Sequence, residues 1–282
     1  MFSICTVTYG DYPELIKKTL DSLKANFSEN PSHIRDVRIG LNAVSNSTFE
    51  YVMNWAGTFG LCPVFVYQEV NNQNVGKYPL MRRMFQEDPA VKISDCVMWL
   101  DDDTYFKKVS SSWWQRVFDL SNQHTVVGLV HYIISRGNQS LGIKEQPWFT
   151  GHEILKRHKF KFATGAWWTA KYDFLQQWDY PFLEVYHNGG DSILGELCRQ
   201  QNASIFDFKE GAQCNARCCY KGIDQDGVVH INVGGRAGRR GIGKKPADEV
   251  YPWHYHGERP EDFSHHNFDL KVYEFNANTN NN

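Results

Sequence analysis

CVMWLDDD, residues 96–103, is the stretch that decides the fold: five apolar residues run straight into three carboxylates. A short continuous apolar run suits a strand buried on both faces, as in a parallel sheet covered by helices. Three adjacent like charges are costly unless a cation or hydrogen-bond donors compensate them. Their place, at the carboxyl end of a strand, is where open α/β sheets receive ligands. A divalent cation has the right chemistry, since Mg²⁺ and Mn²⁺ take oxygen ligands, commonly one or two carboxylates together with phosphate oxygens. A solvated turn with a helix N-cap is the plainer alternative for an isolated Asp-Asp-Asp.

The surrounding sequence supports a buried parallel strand. Residues 3–8, 37–41 and 64–67 are further apolar runs, separated by helical patterns over 12–27, 48–55 and 77–86. In the first of these helices Leu15, Ile16, Leu20 and Leu23 share one face. Such alternation predicts an α/β fold, a Rossmann-like and mainly parallel sheet flanked by helices. Residues 126–134 form another strand, and the basic, Gly-containing connection 136–161 is expected to be a loop or lid. Residues 162–168 and a helix over 191–200 follow. Beyond about residue 210 the alternation fades into an irregular C-terminal extension over 211–272, and the Asn-rich end, 273–282, is expected to be disordered.

Composition narrows the function classes. With 30 Lys+Arg against 32 Asp+Glu, the formal charge of -2 excludes a whole-chain attraction to nucleic acid or anionic membrane, so any such affinity is local. The aromatic content of 15%, including nine Trp, is compatible with platforms for flat or sugar-like ligands. There is no basic leader and nothing near the ~18 apolar residues of a membrane span. The expected location is cytoplasmic, or host cytoplasm if the chain is virus-encoded, and the Asn-x-Ser/Thr sequences at Asn26, Asn46, Asn138 and Asn202 then carry no weight. Cys5, Cys62 and Cys96 sit in apolar stretches and should pack as reduced thiols.

Two further signals compete. Cys198, Cys214, Cys218 and Cys219 with His230 could hold a structural zinc, but CNARCC lacks the paired CxxC spacing of such sites. Gly238-x4-Gly243-Lys244 imitates a P-loop, yet Lys245 stands where a hydroxyl should meet Mg²⁺ and Pro246 enters the would-be helix, which excludes an NTPase. The basic residues Arg236, Arg239, Arg240, Lys244 and Lys245 fit a solvated loop, closure over a diphosphate, or contact with a nucleic-acid backbone.

Asp101-Asp102-Asp103 after a central strand resembles the Asp-x-Asp motif of GT-A fold glycosyltransferases, which holds a metal ion on the diphosphate of a nucleotide sugar. Other stretches resemble that family in the same order. SICTVTYGDYPELIKKTLDSL (3–23) is similar to the opening of family 2 glycosyltransferases, NVGK (74–77) to their Asn-x-Gly segment, and FATGAWW (162–168) with GGD (189–191) to the acceptor side. YPWHYHGE (251–258) is similar to a C-terminal histidine element.

The resemblance implies a catalytic domain over 1–210, with a donor half to about 106 and an acceptor half after it. It implies Mn²⁺ or Mg²⁺ bound by Asp103, with Asp101 on the ion or the ribose and His256, or else His254, completing the shell. Thr8 and Tyr9 would flank the nucleobase and ribose, Asn42 would accept the uracil N3 proton where the family often carries Asp, and Asn74, Gly76 and Lys77 would contact the donor, Lys77 on a phosphate. Gly189, Gly190, Trp167 and Trp168 would line the acceptor, and Asp191 would be the general base of an inverting reaction, preferred over a retaining one. The implied activity is hexosyl or pentosyl transfer from a nucleoside-diphosphate sugar, UDP-linked, to a hydroxyl. That hydroxyl belongs either to a 5-hydroxymethylpyrimidine in DNA or to a glycan or glycolipid precursor. Two rivals of other classes remain at this point: a non-catalytic carbohydrate- or nucleotide-binding module, and a zinc-containing nucleic-acid-binding protein.

Overall fold

The structure, a computed structural model, describes residues 1–28, 31–86, 95–106, 111–134, 146–151, 159–183, 185, 190–208, 228–230 and 266–277. In chain order the elements are β1 (Phe2–Gly10), α1 (Pro13–Phe27), β2 (Ile34–Val44), α2 (Asn46–Phe59), β3 (Val64–Glu69) and α3 (Lys77–Gln86). They continue with β4 (Cys96–Asp101), β5 (Thr104–Phe106), α4 (Ser111–Gln123), β6 (Val126–Ile134), β7 (Lys159–Lys171) and α5 (Tyr172–Gln177). Last come α6 (Gly190–Gln200), β8 (Ile205–Asp207), β9 (Val228–His230) and β10 (Leu270–Phe275).

Eight strands form one sheet in the order β10-β3-β2-β1-β4-β7-β6-β8, and β5 pairs with β9 in a small second sheet. The β3-β2-β1-β4 block is parallel throughout, while β7 runs antiparallel to both β4 and β6. The expected α/β architecture, a mainly parallel sheet flanked by helices, is what the chain forms. Chain order reverses at β1: β2 lies on one side and β4 on the other, which opens a crevice at the carboxyl ends of β1 and β4.

Because side chains alternate across a strand, each central strand feeds two cores. Phe2, Ile4, Val37, Ile39, Met98 and Leu100 pack with α1, α2 and α4, whereas Cys5, Val7, Val97 and Trp99 pack with α3, α5 and α6. Local signals close the helices. Ser45 caps α2 by accepting the Thr48 N–H at 3.3 Å, and Gly60 ends it in the left-handed region at φ 69°. Among the described residues no helix is long and apolar enough to cross a membrane.

Several sequence expectations need correction. The lid assigned to 136–161 is strand from 159 onward, because β7 runs unbroken from Lys159 to Lys171 as partner to β6 and β4. The disordered tail assigned from 273 begins too early: β10 crosses that boundary and lies antiparallel to β3, Tyr273 opposite Val66 and Phe275 opposite Val64. The extension thus adds an edge strand to the main sheet. The aromatic excess is largely structural, since Trp99, Trp114, Trp148, Trp167 and Trp168 are fully buried.

Candidate active site at the β1/β4 crevice

The sheet register brings the motifs together. Val7 lies opposite Asp101 and Tyr9 opposite Asn42, so the ends of β1, β2 and β4 face one crevice. Asp101 is on the α3 side of the sheet, where its Oδ1 accepts hydrogen bonds from Lys77 Nζ at 2.6 Å and Trp99 Nε1 at 3.0 Å. Lys77 opens α3 and also stands over the Trp99 ring, 4.9 Å from its centroid. The pair is partly solvated, with side chains 22% and 23% exposed, so its charges remain available to a ligand.

Asp102 has a different job. Its Oδ2 accepts the Tyr9 N–H at 3.2 Å and its carbonyl accepts the Thr19 hydroxyl at 2.9 Å, tying β4 to β1 and α1. At 3% exposed, it fastens the crevice rather than facing it. Asp103 is 8% exposed.

The loop before α3 is organised from β2. Asn42 Oδ1 accepts the Val75 N–H at 2.9 Å, and its Nδ2 donates to Asn74 Oδ1 at 3.0 Å, which also accepts the Gly76 N–H at 3.1 Å. Gly76 turns the chain at φ 88°, a conformation that side chains disfavour. Asn42 is 1% exposed and both ends of its amide are engaged in shaping the loop, so the expected contact with uracil N3 is corrected to a role in loop geometry. Thr8 is 1% exposed, and its hydroxyl has no hydrogen-bond partner among the described residues.

Asp191 lies in the first turn of α6, where the helix dipole stabilises a carboxylate, and its Oδ1 accepts the Ser192 N–H at 2.9 Å. Gly190 is buried against Tyr78. Trp167 and Trp168 are 0% and 1% exposed and pair in register with Leu100 and Trp99, so neither offers a face to a sugar; the acceptor-platform expectation is corrected to core packing. Gly189, His254 and His256 lie outside the described residues, as do Cys214, Cys218 and Cys219. Cys198 is buried in the α6 core, where burial pushes its thiol up to about 12, a poor start for a metal thiolate.

Sequence reasoning passed over two tyrosines. Tyr78, next to Lys77, and Tyr180 are 4% and 2% exposed. Burial pushes both phenols well above their usual range, and the carboxylates of Asp191 and Asp101 add to the effect. Both therefore stay neutral, and both lie within electrostatic reach of Asp191 and Asp101. The apolar neighbours Pro79, Leu80 and Met81 give Tyr78 no functional mark in the sequence, and its adjacency to Lys77 is the signal that could have found it.

A divalent ion suits the crevice by donor chemistry, since Asp101 and Asp103 supply hard oxygens. Among the described residues no group of three or more His, Cys, Asp or Glu side chains converges on a metal-sized point, so a metal there would need diphosphate oxygens or further ligands.

No protein-family model matches the chain, and no curated protein matches it. Solved structures do. A mannosyltransferase, PcManGT from Pyrobaculum calidifontis in complex with GDP-Man and Mn²⁺, matches 73% of this chain at 13% identity and TM-score 0.49. TarS 1–349 of S. aureus matches 74% of the chain at 17% identity and TM-score 0.49. The galactosyltransferase LgtC, in complex with donor and acceptor sugar analogs, matches 86% at 10% identity and TM-score 0.44. The match spans 54% of the mannosyltransferase, 58% of the TarS fragment and 91% of LgtC.

Proposed function

We propose that the chain is a metal-dependent glycosyltransferase that moves a sugar from a nucleoside diphosphate, UDP-linked, to an acceptor hydroxyl with inversion. The observation that carries this reading is the assembly at the β1/β4 crevice: the Asp101–Asp103 carboxylates at the end of β4, Lys77 on Asp101, and Asp191 at the start of α6, with Tyr78 in electrostatic reach of both Asp101 and Asp191. That arrangement offers negative charge for a cation, a cation for a phosphate, and a separate carboxylate for a proton.

Asp101 and Asp103 would hold Mn²⁺ or Mg²⁺, which when bound supplies charge neutralisation to the diphosphate. Lys77, held at the crevice by Asp101, is placed to share the negative charge that grows on the departing phosphate oxygen. Thr8 and Tyr9 stand near the end of β1, where this reading has them border the base and ribose, and Asn74 and Gly76 would present the loop backbone to the donor. Asp191 takes the proton of the acceptor hydroxyl as its oxygen bonds to the anomeric carbon. The bond from that carbon to the diphosphate breaks, and the electron pair leaves with the diphosphate.

For the acceptor, the reading is a 5-hydroxymethylpyrimidine in DNA, supported by the basic segments 156–161 and 236–245. DNA binding should weaken steeply between low and moderate salt, and a flat response would transfer the proposal to a saccharide acceptor. The main test is a panel of nucleotide sugars with Mn²⁺ or Mg²⁺, scored for donor turnover with and without hydroxymethylated DNA. Asp191→Asn should keep donor affinity and lose turnover by roughly 100- to 10,000-fold. Full turnover in that variant removes Asp191 from the mechanism, and no donor cleavage under any condition supports a non-catalytic sugar- or nucleotide-binding module instead.

A further inference from the structure

We propose that Tyr78 is a positioning residue that pins the start of α6 to the start of α3 and thereby sets where the Asp191 carboxylate stands relative to Asp101. The inference takes the role of Asp191 from the reading above, but the pinning itself rests on packing.

Gly190 opens α6 with no side chain because Tyr78 fills the place one would take. A Cβ added there would lie 2.8 Å from the Tyr78 hydroxyl oxygen and nearer still to ring carbons Cε1 and Cζ. Real Cβ atoms do not approach that closely, and the ring is 4% exposed inside a core, with no direction in which to yield. The glycine before Asp191 is thus explained by a tyrosine more than a hundred residues earlier in the chain.

The hydroxyl completes the joint. The same closeness sets the Tyr78 oxygen beside the start of α6 as an acceptor for the backbone N–H groups of Gly190 and Asp191, which belong to the first turn of a helix, whose donors have no partner within it. A capping side chain usually accepts such donors from the residue just before the helix. Here the acceptor comes from α3, so the cap is also a tertiary contact. Burial keeps the phenol neutral, so it serves as a steady acceptor without adding a third negative charge between two carboxylates.

The first two residues of α3 therefore divide the work. Lys77 bonds Asp101 on the donor side, and Tyr78 holds the α6 turn that carries Asp191. One helical start aligns both halves of the crevice. Tyr180 backs the same region, its ring meeting Trp168 edge-on at 6.3 Å and Phe182 at 5.5 Å.

The test is Tyr78→Phe, which keeps the ring and removes the oxygen. Hydrogen exchange of the Gly190 and Asp191 amides should speed up by about tenfold, as expected for one lost hydrogen bond. Affinity for uridine diphosphate in Mn²⁺ should stay within about twofold while kcat falls about 10- to 100-fold, because a displaced base misses its geometry. Gly190→Ala should reproduce the kcat loss with Tyr78 intact, and it decides the matter if Tyr78→Phe folds poorly. Unchanged amide exchange at 190 and 191 in both variants would overturn the proposal, as would a loss of uridine diphosphate affinity in step with kcat. If the native protein turns over no nucleotide sugar, the transfer reading fails by itself, and the exchange measurement still decides the pinning.

Discussion

Two ion pairs, one on each side of the α3 contact with the sheet, show how differently the same chemistry can be used. Asp36 and Arg38, two residues apart on β2 and therefore on one face, are 0% and 1% exposed. Arg38 also donates to the Met84 carbonyl at 2.8 Å, and Asp36 also accepts the Ser3 hydroxyl at 3.0 Å, so fixed neighbours on α3 and β1 satisfy the pair. Lys77 and Asp101 are nearly a quarter exposed and sit at the mouth of the crevice. The buried pair cannot exchange partners without unfolding its surroundings, whereas the crevice pair can trade one contact for a ligand. Residue type follows use: a guanidinium fans its donors to several fixed acceptors, and an ammonium on a flexible stem can follow a phosphate.

Breaking the buried pair should have the largest effect. Arg38→Met leaves the Asp36 carboxylate in the core and should cost about 3–5 kcal/mol, read by urea unfolding. A loss below about 1 kcal/mol would show that the pair is not a structural fastener. At the crevice the pattern should invert: Asp103→Ala should lower transfer about 100- to 1000-fold with only a minor change in unfolding midpoint. Equal losses of stability and activity there would erase the distinction. Lys77→Met should weaken uridine diphosphate binding by about tenfold, the worth of one charge-assisted hydrogen bond, while Tm moves little.

The smallest effect concerns pH. Burial pushes the Cys96 thiol up to about 11 and the Cys198 thiol up to about 12, from an ordinary 9.0. Below pH 9 both thiols are protonated whether the chain is folded or not. Above it the unfolded chain sheds protons that the folded chain keeps, so stability falls across the window from 9 to about 11 or 12, with a loss of roughly 5 °C in Tm by pH 10. A midpoint that rises over that interval would contradict the burial of these two side chains.

Reading the sequence worked best where the determinant is local. The ends of α3 and β6 are where periodicity placed them, because an amphipathic or apolar run announces itself within its own length. β7 was shortened and β10 missed because a strand is stabilised by partners distant in sequence: β10 gains its identity from β3, some two hundred residues earlier. The same holds for α4, whose Trp113 and Trp114 pack on a core assembled from several elements.

From the sequence alone follow an α/β chain with carboxylates at the end of a central strand and a set of polar motifs in a fixed order, since residue type and spacing are written there. Which member of each motif faces the crevice was decided by tertiary structure. Asp101 meets Lys77 while Asp102 fastens β1, Asn42 shapes a loop, Trp167 and Trp168 fill cores, and Gly190 is small to admit Tyr78. The physical reason is that a side chain's role depends on what occupies the space around it, and in this fold that space is bounded by residues remote along the chain.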